Sequence, residues 1–401
     1  MYREVCVATS TKFPAGLCAL IALISSHAVV QATPFATRVL EYTPAPGQFV
    51  RNPTFANPAA ALGAPVGGGL SAPDNTKCVT LGGFGGRIVL GFDSPVANLA
   101  ATAHNPHGLD FSIFGNAFYL GGNIGRRWAE AGVVHVSRDE NGNGLADDRW
   151  YLLAGSHTPA GASLTMSTVV WDDAVADLTY GPNVQAWVPP ERTGQWQSSG
   201  VLLGALFAGP VVINPLGEQS PQEGIFGYAD CTPTLILGDL DGDGVCDDES
   251  LTAEQFYTRP DDPYLAGVSA GSGGGDAMDI GWAIDPATGE PALLAEIDFV
   301  AIVSAVNRIN GFFGEVSTEV SGICKVVVPS DAIICDLVSG DGNPPGDGSI
   351  DGNDFAAFLN AFGAGDALAD IVGGDGNPPA DGSIDGNDFT AFLNCFAAGG
   401  A

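Results

Sequence analysis

Basic residues are scarce in this chain: 14 Lys and Arg stand against 46 Asp and Glu, for a formal charge of −32. So acidic a chain repels phosphate backbones and anionic headgroups, which excludes nucleic acid and membrane surfaces as direct partners and favours cations. Histidine is rare as well. Only His104 and His107 stand close enough to share a metal, Pro106 and Gly108 put them in a loop, and no third ligand accompanies them, so zinc is not expected. No Cys-x-x-Cys pair occurs, which removes the commonest cysteine zinc site. No Gly-x-Ser-x-Gly sequence stands at a strand-to-helix turn, as a serine hydrolase elbow requires. After residue 32 no stretch approaches the roughly eighteen apolar residues of a membrane span. From Asp336 to Ala401 there is no Lys, Arg or Glu at all, only eleven Asp.

What is present begins with an export signal. Arg3, Glu4 and Lys12 precede the apolar run Leu17 to Ile24, and Val30-Gln31-Ala32 offers small residues for signal peptidase. We expect residues 1–32 to be removed and the protein to be secreted, extracellular and associated with the cell surface. Cys6 and Cys18 leave with that segment. Cys78, Cys231, Cys246, Cys324, Cys335 and Cys395 remain in a compartment that permits disulfides. Cys231 with Cys246, which would close a loop around an acidic motif, and Cys324 with Cys335, which would staple the end of the body, are the preferred pairs.

Gly (56) and Pro (27) speak for turns and short strands. An opening strand is expected at 38–42. Short β-rich runs follow at 78–81, 87–92, 109–114, 132–137, 149–153, 167–171, 184–188, 206–213, 298–303 and 315–320, punctuated by Gly, Asn, Asp or Pro. Strands at this spacing, without amphipathic helices between them, predict a mainly β fold: a β-sandwich of jelly-roll type over 33–325. The glycine cluster Gly82 to Gly86 lies between two such runs and reads as a tight hairpin rather than a nucleotide loop. Residues 326–336 read as a linker and 337–401 as a small helical domain.

Two loops of the body match D-x-[DN]-x-[DN]-G. One carries Asp139, Asn141, Asn143, Asp147 and Asp148; the other carries Asp239, Asp241, Asp243, Asp247 and Asp248. Clustered oxygens on a glycine turn suit Ca2+, although the twelfth position holds Trp150 or Ser250 where an EF-hand has a carboxylate. The same residues also make Asx and glycine turns without metal. Glu130, Asp276, Asp279, Glu315 and Glu319 are conceivable hydrolase carboxylates, but sequence does not pair them. Trp187 and Trp196, in a Pro/Gly/Gln-rich region, suit either sugar stacking or the core.

The C-terminal region is an internal repeat. GDGNPPGDGSIDGNDFAAFLNAF from Gly340 returns as GDGNPPADGSIDGNDFTAFLNCF from Gly374. Asp341, Asn343, Asp347, Ser349, Asp351 and Asp354 fall at ligand positions of a calcium loop, and Asp375, Asn377, Asp381, Ser383, Asp385 and Asp388 repeat them. Each loop departs from the standard by two prolines between positions three and five. Phe355, Phe358, Leu359 and Phe362, then Phe389, Phe392, Leu393 and Phe396, take the i, i+3, i+4, i+7 spacing of a helical face. Eleven unneutralised Asp predict that folding of this unit is coupled to Ca2+.

This region resembles a type I dockerin, a pair of EF-hand-like calcium-loop-and-helix units, which implies docking on a cohesin-like or other surface protein. The pairs Gly352-Asn353 and Gly386-Asn387 stand where that family has residues of Ser-Thr type, so partner choice does not transfer; identical pairs would permit two docking orientations. The body resembles a family of exported bacterial cell-surface proteins through Thr80 to Asp93, Asp110 to Phe118, Asp139 to Tyr151, Gly275 to Asp285, and Asp298 through Glu319. It brings no catalytic residues. The expectation is a non-catalytic, calcium-binding surface or matrix protein. The alternative is a carbohydrate-active enzyme or glycan-binding protein of polysaccharide breakdown, carried to a cellulosome-like assembly by the repeat.

Overall fold

The computed structural model describes residues 33–47, 49–102, 105–156, 166–172, 195–201, 212–213, 226–307, 309–310, 314–315, 317–327, 335–338, 340, 342–344, 350–372 and 382–398. Among these, strands dominate and three α-helices occur. The expected signal, His104, the 184–188 run, Trp187 and most of the linker lie outside them, as do the side chains of Trp171 and Trp196.

A seven-stranded antiparallel sheet organises the body. Its central strand, Glu296–Ser304, pairs on one side with Arg87–Ala97 and on the other with Gly132–Ser137. Arg38–Thr43 extends one edge; Trp150–Leu153 and Ala283–Ile284 extend the other. Strand alternation sets the layers. Ile88, Leu90, Val134, Val136, Val300 and Ile302 point to one side, into a buried cluster shared with Phe111, Ile113, Met278 and Ile323. Those last four come from a three-stranded sheet of Asp276–Met278, Phe111–Phe114 and Gly322–Lys325. On the other side Val89, Phe299 and Ala301 are covered by Leu40, Ala146 and Trp150. The large sheet is thus buried on both faces.

The glycine cluster is not the hairpin that its sequence suggests. Val79–Thr80 pairs with Glu319–Val320, whereas Arg87–Ala97 belongs to the large sheet, so the segment crosses between sheets. It crosses through crowded space. Gly82 has φ +72°, and a Cβ there would sit 1.9 Å from the Ala45 carbonyl oxygen. Gly85 and Gly86 then bond to both backbone groups of Ser304, at the end of the central strand.

The disulfide pairing also differs from expectation. Cys335 bonds to Cys395, while Cys78, Cys231, Cys246 and Cys324 are free. The core explains this. Cys324 is buried in the body, where its thiol donates to the Tyr257 carbonyl, and Cys231 is packed among Tyr228, Leu152 and Val133. Cys335 instead belongs to the cluster built by the repeat helices.

Those helices run Gly352–Ala364 and Gly386–Ala398. Phe358 and Phe392 are fully buried and stack with centroids 4.0 Å apart. Phe355, Phe362, Phe389 and Phe396 pack around them. Leu359 and Leu393, part of the same expected face, stay exposed.

Candidate functional site

The Asp139 loop is the turn of a hairpin whose strands pair Ser137 with Trp150 and Val136 with Tyr151. Asp139 accepts the N–H groups of Asn143 and Gly144, and the Arg38 guanidinium holds the Gly144 carbonyl. The Asn141 and Asn143 amides donate to Asp147, and Asn141 also donates to Asp148. The loop converges, with its carboxylates answered by amide N–H.

In the Asp239 loop, Asp239 accepts from Gly242 and Gly244, Asp241 from Asp243, and Asp243 from Val245. Here the inward groups are carboxylates. Oxygens of Asp239, Asp241 and Asp247 lie within 4.8 Å of one another, a spread that fits one cation. Burial raises the Asp239 carboxyl above its ordinary value, against the two N–H bonds it accepts. Asp248 turns away to cap Ser250. The Asp239 loop should therefore take Ca2+ more tightly than the Asp139 loop. Terbium luminescence checks this: Asp241→Ala should lower the response at least tenfold, and Asn141→Ala should change it less.

In the repeat, Asp341, Asp347, Ser349, Asp375, Asn377 and Asp381 lie outside the described residues; Asn343 is exposed. Asp351 caps the first helix in a reciprocal capping box with Asp354. Buried Asp354 also accepts the N–H groups of Leu337 and Val338 at 2.8 and 2.9 Å. Asp388 makes the matching bonds to Ile371 and Val372, at 2.8 and 3.0 Å, and accepts the Asp385 N–H. Each helix start is thereby tied to the segment that leads into its own loop. Burial raises the Asp388 carboxyl, but the N–H bonds outweigh it and leave the group below its ordinary value.

A different constellation comes from the body core. Glu130 follows Arg126–Trp128, Asp230 follows Tyr228–Ala229, and Glu319 opens Glu319–Val320. All three are buried, and their oxygens lie within 4.8 Å of one another. Asp230 is the organiser. With φ +60° it accepts the N–H groups of Asn116, Ala117 and Glu319, while its carbonyl accepts that of Glu130. Gly115 makes room, since a Cβ there would sit 2.3 Å from an Asp230 carboxylate oxygen. Burial pushes Glu130 up to about 8, Asp230 to about 7 and Glu319 well above its ordinary value. The Glu319 carboxyl hydrogen-bonds to Glu130.

Above Glu130 and Glu319 opens a cavity of about 310 Å³, walled by Phe49, Phe55, Phe118 and Trp128. Phe118 and Trp128 are cross-strand partners, stacked at 5.8 Å. Phe49 is 46% exposed at φ +61°, tilted against Phe55.

The chain matches no family model, and no curated protein is significantly similar to it.

Of the conceivable carboxylates, the structure brings Glu130 and Glu319 together. Asp276 is buried beside this cluster, accepting the N–H of Cys231, the residue after Asp230, and Asp279 caps a short 3-10 turn; the Glu315 side chain lies outside the described residues. His107 Nε2 lies 3.4 Å from an Asp262 carboxylate oxygen, and its ring packs edge-on against Tyr264. Sequence reasoning missed Asp230 and the Trp128 wall. Asp230 precedes a cysteine in an unremarkable run, and only its left-handed backbone betrays it.

Proposed function

We propose that the protein is a secreted, calcium-binding, non-catalytic surface or matrix component, with a jelly-roll-type β-sandwich body and a dockerin-like C-terminal attachment module. The observation that carries this reading is the duplication of contacts in the repeat. Asp354 and Asp388 make the same three backbone bonds, and Phe358 meets Phe392 across the shared core. Two equivalent halves with acidic loops at their helix starts form a unit that calcium would complete by bridging carboxylates. The Asp239 cluster extends the same chemistry to the body.

Exposure of Leu359 and Leu393 at equivalent positions supports docking, since the core does not use them. A partner with two matching apolar sockets could take the module in either orientation. The test is capture from the source organism's envelope in calcium, using the mature chain as bait. Leu359→Asp with Leu393→Asp should abolish capture, as should a chelator; capture that survives both would remove the docking reading.

The hydrolase alternative asks for two carboxylates about 5–9 Å apart. Oxygens of Glu130 and Glu319 lie within 4.8 Å of each other, closer than that range, so this pair gives it no support.

A further inference from the structure

The aromatic-walled cavity is not explained by calcium loops or by attachment, and it holds a chemical demand of its own. Glu130 Oε1 and Glu319 Oε2 are buried acceptors with no hydrogen-bond partner among the described residues, on side chains 4% and 3% exposed. Both residues line the cavity, and no Lys, Arg or His is among the described residues that line it. A buried acceptor without a donor is costly, and a buried carboxylate without a counter-charge more so. The fold nonetheless builds this arrangement deliberately: Asp230 spends its carboxylate on three N–H groups that fix the backbone carrying Glu319 and the approach from Asn116.

What would satisfy the site follows from its walls. A bare metal ion would meet the carboxylates but leave about 310 Å³ of aromatic space unused. A neutral sugar would stack on Trp128 but bring no charge to the buried acids. An ammonium group brings N–H donors to the pair and the positive charge that would let the two carboxyls, kept protonated by burial, ionise and release their protons to solvent, and aromatic faces attract it as well. Its stem would lie between Phe49 and Phe55 on one side and Phe118 and Trp128 on the other. The volume sits at the low end of small-ligand sites.

We infer that this cavity is a binding site for an alkylammonium group, with Glu130 and Glu319 receiving the cation and the four aromatic rings enclosing its stem. The inference is independent of the calcium and docking readings. The ammonium can come from a free amine or from a lysine side chain.

The test is calorimetric titration of the mature chain with n-pentylammonium, its neutral isostere n-pentanol, and CaCl2. Pentylammonium should bind at least tenfold more tightly than pentanol. Glu130→Gln and Glu319→Gln should each weaken it at least tenfold with the Tm retained. The wild-type comparison of amine with alcohol stands even if a variant fails to fold. A Gly-Lys-Gly peptide that matches the amine assigns the source to protein lysines; a peptide tenfold weaker assigns it to free amines. Equal affinity for amine and alcohol, no binding of either, or a calcium ion that binds through Glu130 and Glu319 while the amine does not, would overturn the inference.

Discussion

Cys395→Ser is expected to melt the repeat pair as a unit while the body stays folded. The Cys335–Cys395 bond joins residues 60 positions apart, and a loop of that length is worth about 4 kcal/mol in the chain-entropy account. A two-helix core around Phe358 and Phe392 has little in reserve beyond that, as small scaffolds generally do not. Calorimetry of the mature chain should show the repeat transition lost or moved below room temperature on reduction or in the variant. The body transition should not move, since Cys78, Cys231, Cys246 and Cys324 are free thiols and their replacement cannot open a bridge. A single unchanged transition in Cys395→Ser would mean that the bridge contributes nothing to the repeat.

The body should lose stability as pH rises from about 5 to about 9, the reverse of ordinary acid denaturation. Burial raises Glu130 and Asp276 to about 8, Asp110 and Asp230 to about 7, and Asp261 to about 6, with Glu319 raised further. Unfolded, such groups titrate near 4. Between those values the folded chain binds more protons than the unfolded chain, so the stabilisation is complete below about pH 4 and drains away as pH climbs through the folded pKa values. The loss should reach on the order of 5 kcal/mol, or a Tm drop of about 10–20 °C in calcium-free buffer. Glu130→Gln should flatten the slope, because an amide does not ionise, and this separates the effect from general repulsion in a chain of charge −32. Asp388 acts in the opposite sense: its lowered value gives the repeat stability that is lost as pH falls through it. A body Tm that rises between pH 5 and 9 would show that these carboxyls are not buried as described.

Local chemistry made part of this molecule legible. The strands at 132–137 and 150–153 were readable because β-branched residues flank an Asn/Asp/Gly turn, and the Asp139 loop is that turn. The Phe spacing of the repeat marked two helices, and the same Phe residues form their core. What sequence hid is long-range. Val79–Thr80 looks like the first arm of a hairpin with Arg87–Ala97, yet its partner is Glu319–Val320, and nothing local encodes that crossing. Glu319 and Asp230 are 89 positions apart and meet only through the sheet pairings. Pairing Cys231 with Cys246 around an acidic motif, and Cys324 with Cys335 at the end of the body, is overruled by burial of Cys231 and Cys324 in the body core. Leu359 and Leu393 fit the helical stripe by spacing but lie at its exposed edge, where two helices sharing one core leave a side uncovered.

The acidic repeat is expected to fold only when calcium neutralises its loops. Far-ultraviolet circular dichroism of residues 335–401, with the disulfide intact, tests it in excess chelator and again in excess Ca2+. Little helix is expected in chelator, with Gly352–Ala364 and Gly386–Ala398 forming on calcium addition and lost again in Asp347→Ala with Asp381→Ala. Identical spectra in the two conditions would contradict it.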